Sequence, residues 1–269
     1  MKLTVKHTLA FSLGTPTRAV QHVLLTALST PQQKVERWSI EMPGFAEAAV
    51  FRDAYGNRAH LVSQVKPAEE LAVTVSGAVE TIDRAGVLGR LEYDPMPAMF
   101  RRRTESTKPD ADLIDGLKDG PDRIALFHEI MGRVNTLLGD DEAAQAQTES
   151  AGGQSQSQSQ QLAETKKAAE FAHAFIGGVR ALQIPSRYVT GYLLGDDGKS
   201  SFHAWAEAWD ESLGWIGFDP MFNVCPAENY VRIASGLDAA TTPPLRTVPI
   251  WSKMPVETVE ITEAAAPAA

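Results

Sequence analysis

The sequence predicts an α+β protein, in which an N-terminal antiparallel β-sandwich precedes helices packed on a second antiparallel sheet. Three observations carry this. In the first hundred residues Trp38, Ile40 and Met42 alternate with Arg37, Ser39 and Glu41, and Leu71, Val73 and Val75 alternate with Ala72, Thr74 and Ser76. That is the period-two pattern of half-buried strands. Further on, Phe171, Phe175, Val179 and Leu182 recur at helical spacing, so a helix buries that face and ends near Gln183, before Pro185. Directly after it, residues 187–193 and 201–209 carry the β-branched and aromatic content of strands, separated by the turn Gly195-Asp196-Asp197-Gly198.

The composition bounds what the chain does. With 269 residues, 43% of them hydrophobic, it can bury a sizeable core as one large or two modest domains. A net charge of −9 argues against nucleic acid or an anionic membrane as the main partner, because both require a cationic surface. The single Cys225 excludes an intramolecular disulfide. His7, Thr8 and Ser12 interrupt the apolar residues near the N-terminus, which makes a poor export signal, and no run has the length of a membrane span. The expected location is cytoplasmic.

Taken in order, residues 1–100 form the sandwich, with Asp53-Ala54-Tyr55-Gly56-Asn57 as a turn in which Gly56 and Asn57 can both take positive φ. Asp94-Pro95-Met96-Pro97 breaks any strand, and residues 101–120 read as a linker, with Arg101, Arg102 and Arg103 on a solvated face. A helix follows over 122–138, burying Ile124, Phe127, Met131, Val134 and Leu138. Its His128-Glu129 pair lacks the second His of a zinc-protease motif, since position 132 is Gly132, so no metal and no cofactor are expected. Residues 139–161, ending in alternating Gln and Ser, are expected to be a mobile loop. The second domain extends over 121–262 and closes with a strand near 258–262, where Val259 and Ile261 share a face. Residues 263–269 are a tail.

The order helix, strand, turn, strand, turn, strand resembles the bacterial transglutaminase-like family of the papain-like superfamily. There a Cys at a helix start, a His on the following strands and an Asp further on form a triad. His203 in His-Ala-Trp-Ala-Glu matches the family His, and Asp219 in Phe-Asp-Pro matches the Asp that orients it. Residues 229–236 are similar to the family's His-Val-Arg-Val-Ala-x-Gly segment. The first hundred residues resemble, more loosely, the sandwich that precedes the core in such proteins. The resemblance implies amide-bond chemistry through an acyl-thioenzyme, acting as protease, deamidase or transglutaminase. It allows a protein or peptide partner, including an ATP-grasp or α-helical protein encoded nearby.

The helix start departs from the family. Where the bacterial branch reads Gly-x-Cys-Gln-Asp-Phe-Ala-His, this chain has Lys166, Lys167, Ala168, Ala169 and Glu170 before Phe171-Ala172-His173, which puts Ala168 at the nucleophile position. A methyl group cannot attack a carbonyl. The run from Leu162 to Ala169 is strong helix-forming sequence, so the helix is expected to start upstream and to place position 168 in its interior, away from the dipole that lowers a thiol pKa. Thr165 as an N-cap is the alternative, and it would keep the family geometry.

Loss of the Cys together with its Gly, Gln and Asp neighbours fits drift after loss of catalytic selection. The leading reading is therefore a pseudoenzyme that keeps His203, Asp219 and a cleft and serves as a binding or regulatory module. The alternative is an active amide hydrolase with another nucleophile, for which Cys225 is the one available thiol. Trp205, Trp209 and Trp215 read as core and cleft walls. His173 projects about 140° from Ala168 around the helix and is not expected in the site.

Overall fold

The computed structural model describes residues 1–146 and 156–264. In chain order the strands are β1 (Lys2–Ser12), β2 (Arg18–Val23), β3 (Gln33–Glu41), β4 (Ala49–Arg52), β5 (Arg58–Val65), β6 (Glu70–Thr81) and β7 (Val87–Gly89). Three helices follow: α1 (Ala111–Ile114), α2 (Arg123–Ala146) and α3 (Gln156–Ala181). Then come β8 (Ser186–Leu194), β9 (Ser200–Asp210), β10 (Gly214–Phe218), β11 (Tyr230–Gly236), β12 (Leu245–Val248) and β13 (Lys253–Glu263). The architecture is α+β.

Two four-stranded sheets, β13-β1-β6-β3 and β12-β2-β5-β4, make the N-terminal layers, and a five-stranded sheet, β11-β8-β9-β10-β7, carries the helices. All of the strand pairs are antiparallel. The chain does not stay on one side of the division expected at 100–120. Strand β13 pairs with β1 and β12 with β2, so the C-terminus completes both sandwich sheets, while β7 leaves the sandwich region and pairs with β10. One apolar cluster crosses the boundary, joining Leu9, Val73 and Val75 to Tyr192, Phe202 and Val231. Burial across this seam excludes water from both units at once.

Polar side chains tie the same seam. Asn57 donates from Nδ2 to the Ser235 carbonyl at 2.8 Å and accepts from the Ser235 amide at 2.8 Å. Only Gly56 of the expected pair takes positive φ, at 85°. Asn57 is held instead through its side chain, because its amide also donates to Asp53.

The expected linker packs against the core. Phe100 and Thr107 are fully buried, and both serve Arg180 near the end of α3. The Arg180 guanidinium donates to the carbonyls of Phe100, Ser186 and Leu237 and to the Thr107 hydroxyl, all at 2.8–3.0 Å. Burial lowers its pKa to about 10. Arg101, Arg102 and Arg103 are exposed.

The Asp122 carboxylate accepts from the Ala125 amide at the start of α2, whose Phe127, Ile130, Met131 and Val134 are buried. The expected loop is mostly helix at both ends: residues 139–146 continue α2, residues 156–161 begin α3, and 147–155 lie outside the described residues. Gln and Ser are only mildly unfavourable in helices, and the good formers downstream carry the helix back through them. Glu263, expected in the tail, pairs with Leu3. Residues 265–269 lie outside the described residues.

Candidate functional site

Strand β9 alternates strictly, so Ala204, Ala206 and Ala208 face α3 while His203, Trp205 and Glu207 face the other way. The small side chains let the helix approach the sheet closely. On the opposite face His203 is 4% exposed and Asp219, just beyond β10, is 0% exposed. His203 Nε2 lies 2.6 Å from Asp219 Oδ2, and an acceptor-only carboxylate holds the ring proton on Nε2. The same carboxylate accepts from the Tyr230 hydroxyl at 2.8 Å and from the Met221 amide at 3.1 Å. Asp219 is itself fixed by a backbone bridge to Val224. Burial, reinforced by the Asp219 charge, pushes the Tyr230 phenol pKa well above its usual value. Phe222, Trp205 and Tyr230 pack around the imidazole at centroid distances of 5.6–6.4 Å.

Ala168 lies elsewhere. It is 1% exposed and belongs to the apolar layer of Phe171, Ala172, Ala204 and Ala206. Helix α3 begins at Gln156, so position 168 is well inside it and its amide is committed to the helical ladder. Thr165 is no N-cap: its hydroxyl donates to the Phe202 carbonyl at 3.1 Å and pins the helix to β9. His173 stacks on Tyr188 at 5.0 Å and accepts from the Ala239 amide at 3.0 Å, and burial lowers its pKa to about 4.

Cys225 is half-buried, and burial, then the charge of Asp83, pushes its thiol pKa up, which disfavours the thiolate. It packs where a side chain on Gly86 would meet it, and it is not among the residues lining the cavity beside His203. That cavity, of about 530 Å³, runs between α3, β8, β9 and the returning segment 239–257, and Lys166, Ala169, Thr190 and His203 contribute to its wall.

Behind the site, Glu207 is buried between two guanidiniums. Arg187 Nε lies 2.5 Å away and Arg232 Nε 2.7 Å away, and Arg187 also reaches Asp94 at 2.9 Å and stacks over Trp215. Burial opposes the Glu207 charge, but Arg187 and Arg232 outweigh it and hold the carboxyl below its usual pKa. Read as sequence, residues 187–193 form a strand that gives Arg187 no part in this network. The available signal was a charge inside an otherwise apolar strand, because buried charges are paired. Tyr230 was missed as the third partner of Asp219, since nothing local links residues eleven apart.

An α3-type helix on an antiparallel sheet, with a buried His–Asp pair at the far side of that sheet, defines a transglutaminase-like core. The model of the transglutaminase-like superfamily matches residues 136–220, and that of the bacterial transglutaminase-like N-terminal region matches residues 3–80. The chain thus pairs a region similar to the bacterial transglutaminase-like N-terminal region with a transglutaminase-like core.

An uncharacterised protein of Mycobacterium leprae is 34% identical over 84 residues, covering 29% of this chain and 29% of that protein. A protein-glutamine gamma-glutamyltransferase of Pseudomonas aeruginosa is 35% identical over 81 residues, 27% of this chain and 12% of the enzyme. The chain thus aligns with less than a third of each of these relatives. A solved structure of a proposed cysteine protease from Cytophaga hutchinsonii shares the fold, with a TM-score of 0.65 at 20% identity, over 100% of this chain and 92% of that one. Among the described residues no helix is long and apolar enough to cross a membrane.

Proposed function

We propose that the chain is a pseudoenzyme of this family, a binding or regulatory module that keeps the His203–Asp219 pair and a cleft but has no nucleophile at the helix. The observation that carries this reading is the placement of Ala168, which packs in the apolar layer well inside α3. Family chemistry needs a thiolate at a helix start, where unpaired backbone N–H groups and the dipole lower the thiol pKa and an oxyanion can be held. Neither the sulfur nor the helix start is available at position 168. A His–Asp pair without a nucleophile holds a proton and polarises water, and that is all it contributes to acyl transfer.

The test is direct. The purified protein, incubated with an activated acyl ester and with glutaminyl and peptide amides, is expected to form no acyl adduct by intact mass and to release no ammonia or amine. Turnover abolished by iodoacetamide would assign the chemistry to Cys225, and turnover that survives alkylation would assign it to water activated by His203. Either result removes the pseudoenzyme reading.

A further inference from the structure

The two sandwich sheets have unlike outer faces. On the sheet β13-β1-β6-β3 the outward residues are mostly polar, as is usual: Lys2, Thr4, Lys6 and Thr8 of β1 lie opposite Glu80, Ala78, Ser76 and Thr74 of β6, and Lys2 pairs with Glu36 of β3 at 3.0 Å. The sheet β12-β2-β5-β4 departs from this. Ala19, Gln21 and Val23 point inward, so Val20 and His22 point out, and the register sets Val248 beside Val20, Leu61 beside His22 and Ala49 beside Leu61. Val20, Phe51, Leu61, Val65 and Val248 are 36–69% exposed, and they share one face rather than being scattered singly. His22 adds little charge to it: burial, then Arg246, lowers its pKa, and its ring packs against Phe51 at 5.9 Å.

The charge on this sheet is also unlike that of the whole chain. Its strands hold Arg18, Arg52, Arg58 and Arg246 and no Asp or Glu, although the chain has 34 acidic and 25 basic residues. Arg18 and Arg246 are exposed on the outward face, and among the described residues neither forms an ion pair; Arg246 donates to the neutral Ala240 carbonyl. Asp53, whose charge reaches His22, has both oxygens taken up by the Tyr55 amide and by the amide and side chain of Asn57. The face is therefore apolar with two uncompensated cations. Four strands spaced about 4.8 Å apart and about 20 Å long present about 400 Å², well short of the ~800 Å² that each partner buries in a standard stable interface. A second copy packed across a two-fold axis would in addition bring the same cations to the contact. An anionic membrane is drawn by clusters of roughly 4–8 cations and repels a chain of net charge −9. A short segment of opposite charge matches both the area and the sign.

We propose that the outward face of β12-β2-β5-β4 docks a short, acidic, amphipathic segment of a partner protein, with apolar side chains against Val20, Phe51, Leu61 and Val248 and carboxylates at Arg18 and Arg246. Burial of the apolar side chains supplies affinity, and the two guanidiniums set the sign of the partner. The face uses neither His203 nor Ala168, so it stands or falls apart from the pseudoenzyme reading.

The test is a selection of displayed random peptides on the intact protein, each about fourteen residues long and so able to cross the face as a helix. Enriched sequences are expected to set Asp or Glu beside Leu, Ile, Val or Phe, and a synthetic copy of the strongest is expected to bind more weakly as NaCl rises from about 0.05 M to about 0.5 M. Leu61→Glu is expected to weaken that peptide about tenfold and Arg18→Glu about fivefold, while Ser76→Glu, on the outward face of the other sheet, leaves it unchanged. Urea midpoints establish that the variants fold, and Val248→Glu, on the edge strand, replaces Leu61→Glu if that protein is unstable. Enrichment of no peptide, or of basic or uncharged ones, overturns the proposal, as does binding indifferent to both Leu61→Glu and Val248→Glu. Co-sedimentation with phosphatidylglycerol vesicles, or a dimer in sedimentation velocity, that these substitutions abolish would assign the face to lipid or to a second copy and would equally overturn it.

Discussion

The strand face that holds His203 and the helix face that holds Ala168 are built differently, and the contrast bears on why one keeps the family's residues and the other does not. On the strand wall, Asp219 accepts hydrogen bonds from His203 and Tyr230 in the interior and from the partly buried Met221 amide. His203 and Tyr230 would be left buried and unsatisfied without it, so stability alone gives a reason to keep His203 and Asp219. On the helix wall, position 168 faces an apolar layer that a methyl group fills. On the pseudoenzyme reading, nothing in the fold calls for sulfur there. A retained His–Asp pair is thus weak evidence for activity.

The comparison breaks most visibly where buried charge is concentrated. Glu207→Ala leaves Arg187 and Arg232 without their shared carboxylate and is expected to cost about 3–5 kcal/mol, read as a drop in the urea midpoint or as failure to fold. Because the Glu207 pKa is depressed in the folded state, its contribution is present above the unfolded carboxylate value and is lost as pH falls through the folded one. Asp219→Ala is expected to cost about 2–4 kcal/mol by stripping partners from His203 and Tyr230. A cost near zero for Asp219→Ala would show that stability does not hold the pair, and would restore catalysis as the reason for its retention.

Much of this was legible in the sequence, and the rest was hidden for physical reasons. The alternation in β3 and β6, the helical spacing from Phe171 to Leu182 and the strand pair around Gly195-Asp196-Asp197-Gly198 reflect local burial, which the sequence records directly. The motifs single out Ala168, His203 and Asp219, and the structure joins the last two by a hydrogen bond of 2.6 Å. Long-range pairing was not. Val259 and Ile261 announce a strand, but nothing in them says that its partner is β1, more than two hundred residues earlier. The helical turns at 156–161 were missed because a Gln/Ser composition reads as loop unless the helix continuing from downstream is taken into account.

A smaller effect comes from His173, whose ring accepts from the Ala239 amide and is held neutral with a pKa of about 4. The unfolded chain binds this proton near 6.5 and the folded protein does not, so stability falls as pH drops from 7 to 5, by about 2 kcal/mol from this group. Urea melts at the two pH values should show the difference, and His173→Gln should reduce it. The smallest expected effect is Ala168→Cys. One added sulfur in a packed layer costs about 1 kcal/mol, and the thiol is expected to alkylate slowly because burial disfavours its thiolate.

The central claim is that the helix wall has lost its geometry as well as its sulfur, and it is tested by two versions of the protein assayed side by side for acylation by an activated ester. One carries Ala168→Cys alone, and the other has residues 166–170 replaced by Gly-Val-Cys-Gln-Asp, whose Gly reopens a helix start. The account predicts little or no acyl-enzyme from the single substitution and a clear gain from the five-residue replacement. Equal acylation of the two would contradict it, because the missing sulfur alone would then set this helix apart from the family motif.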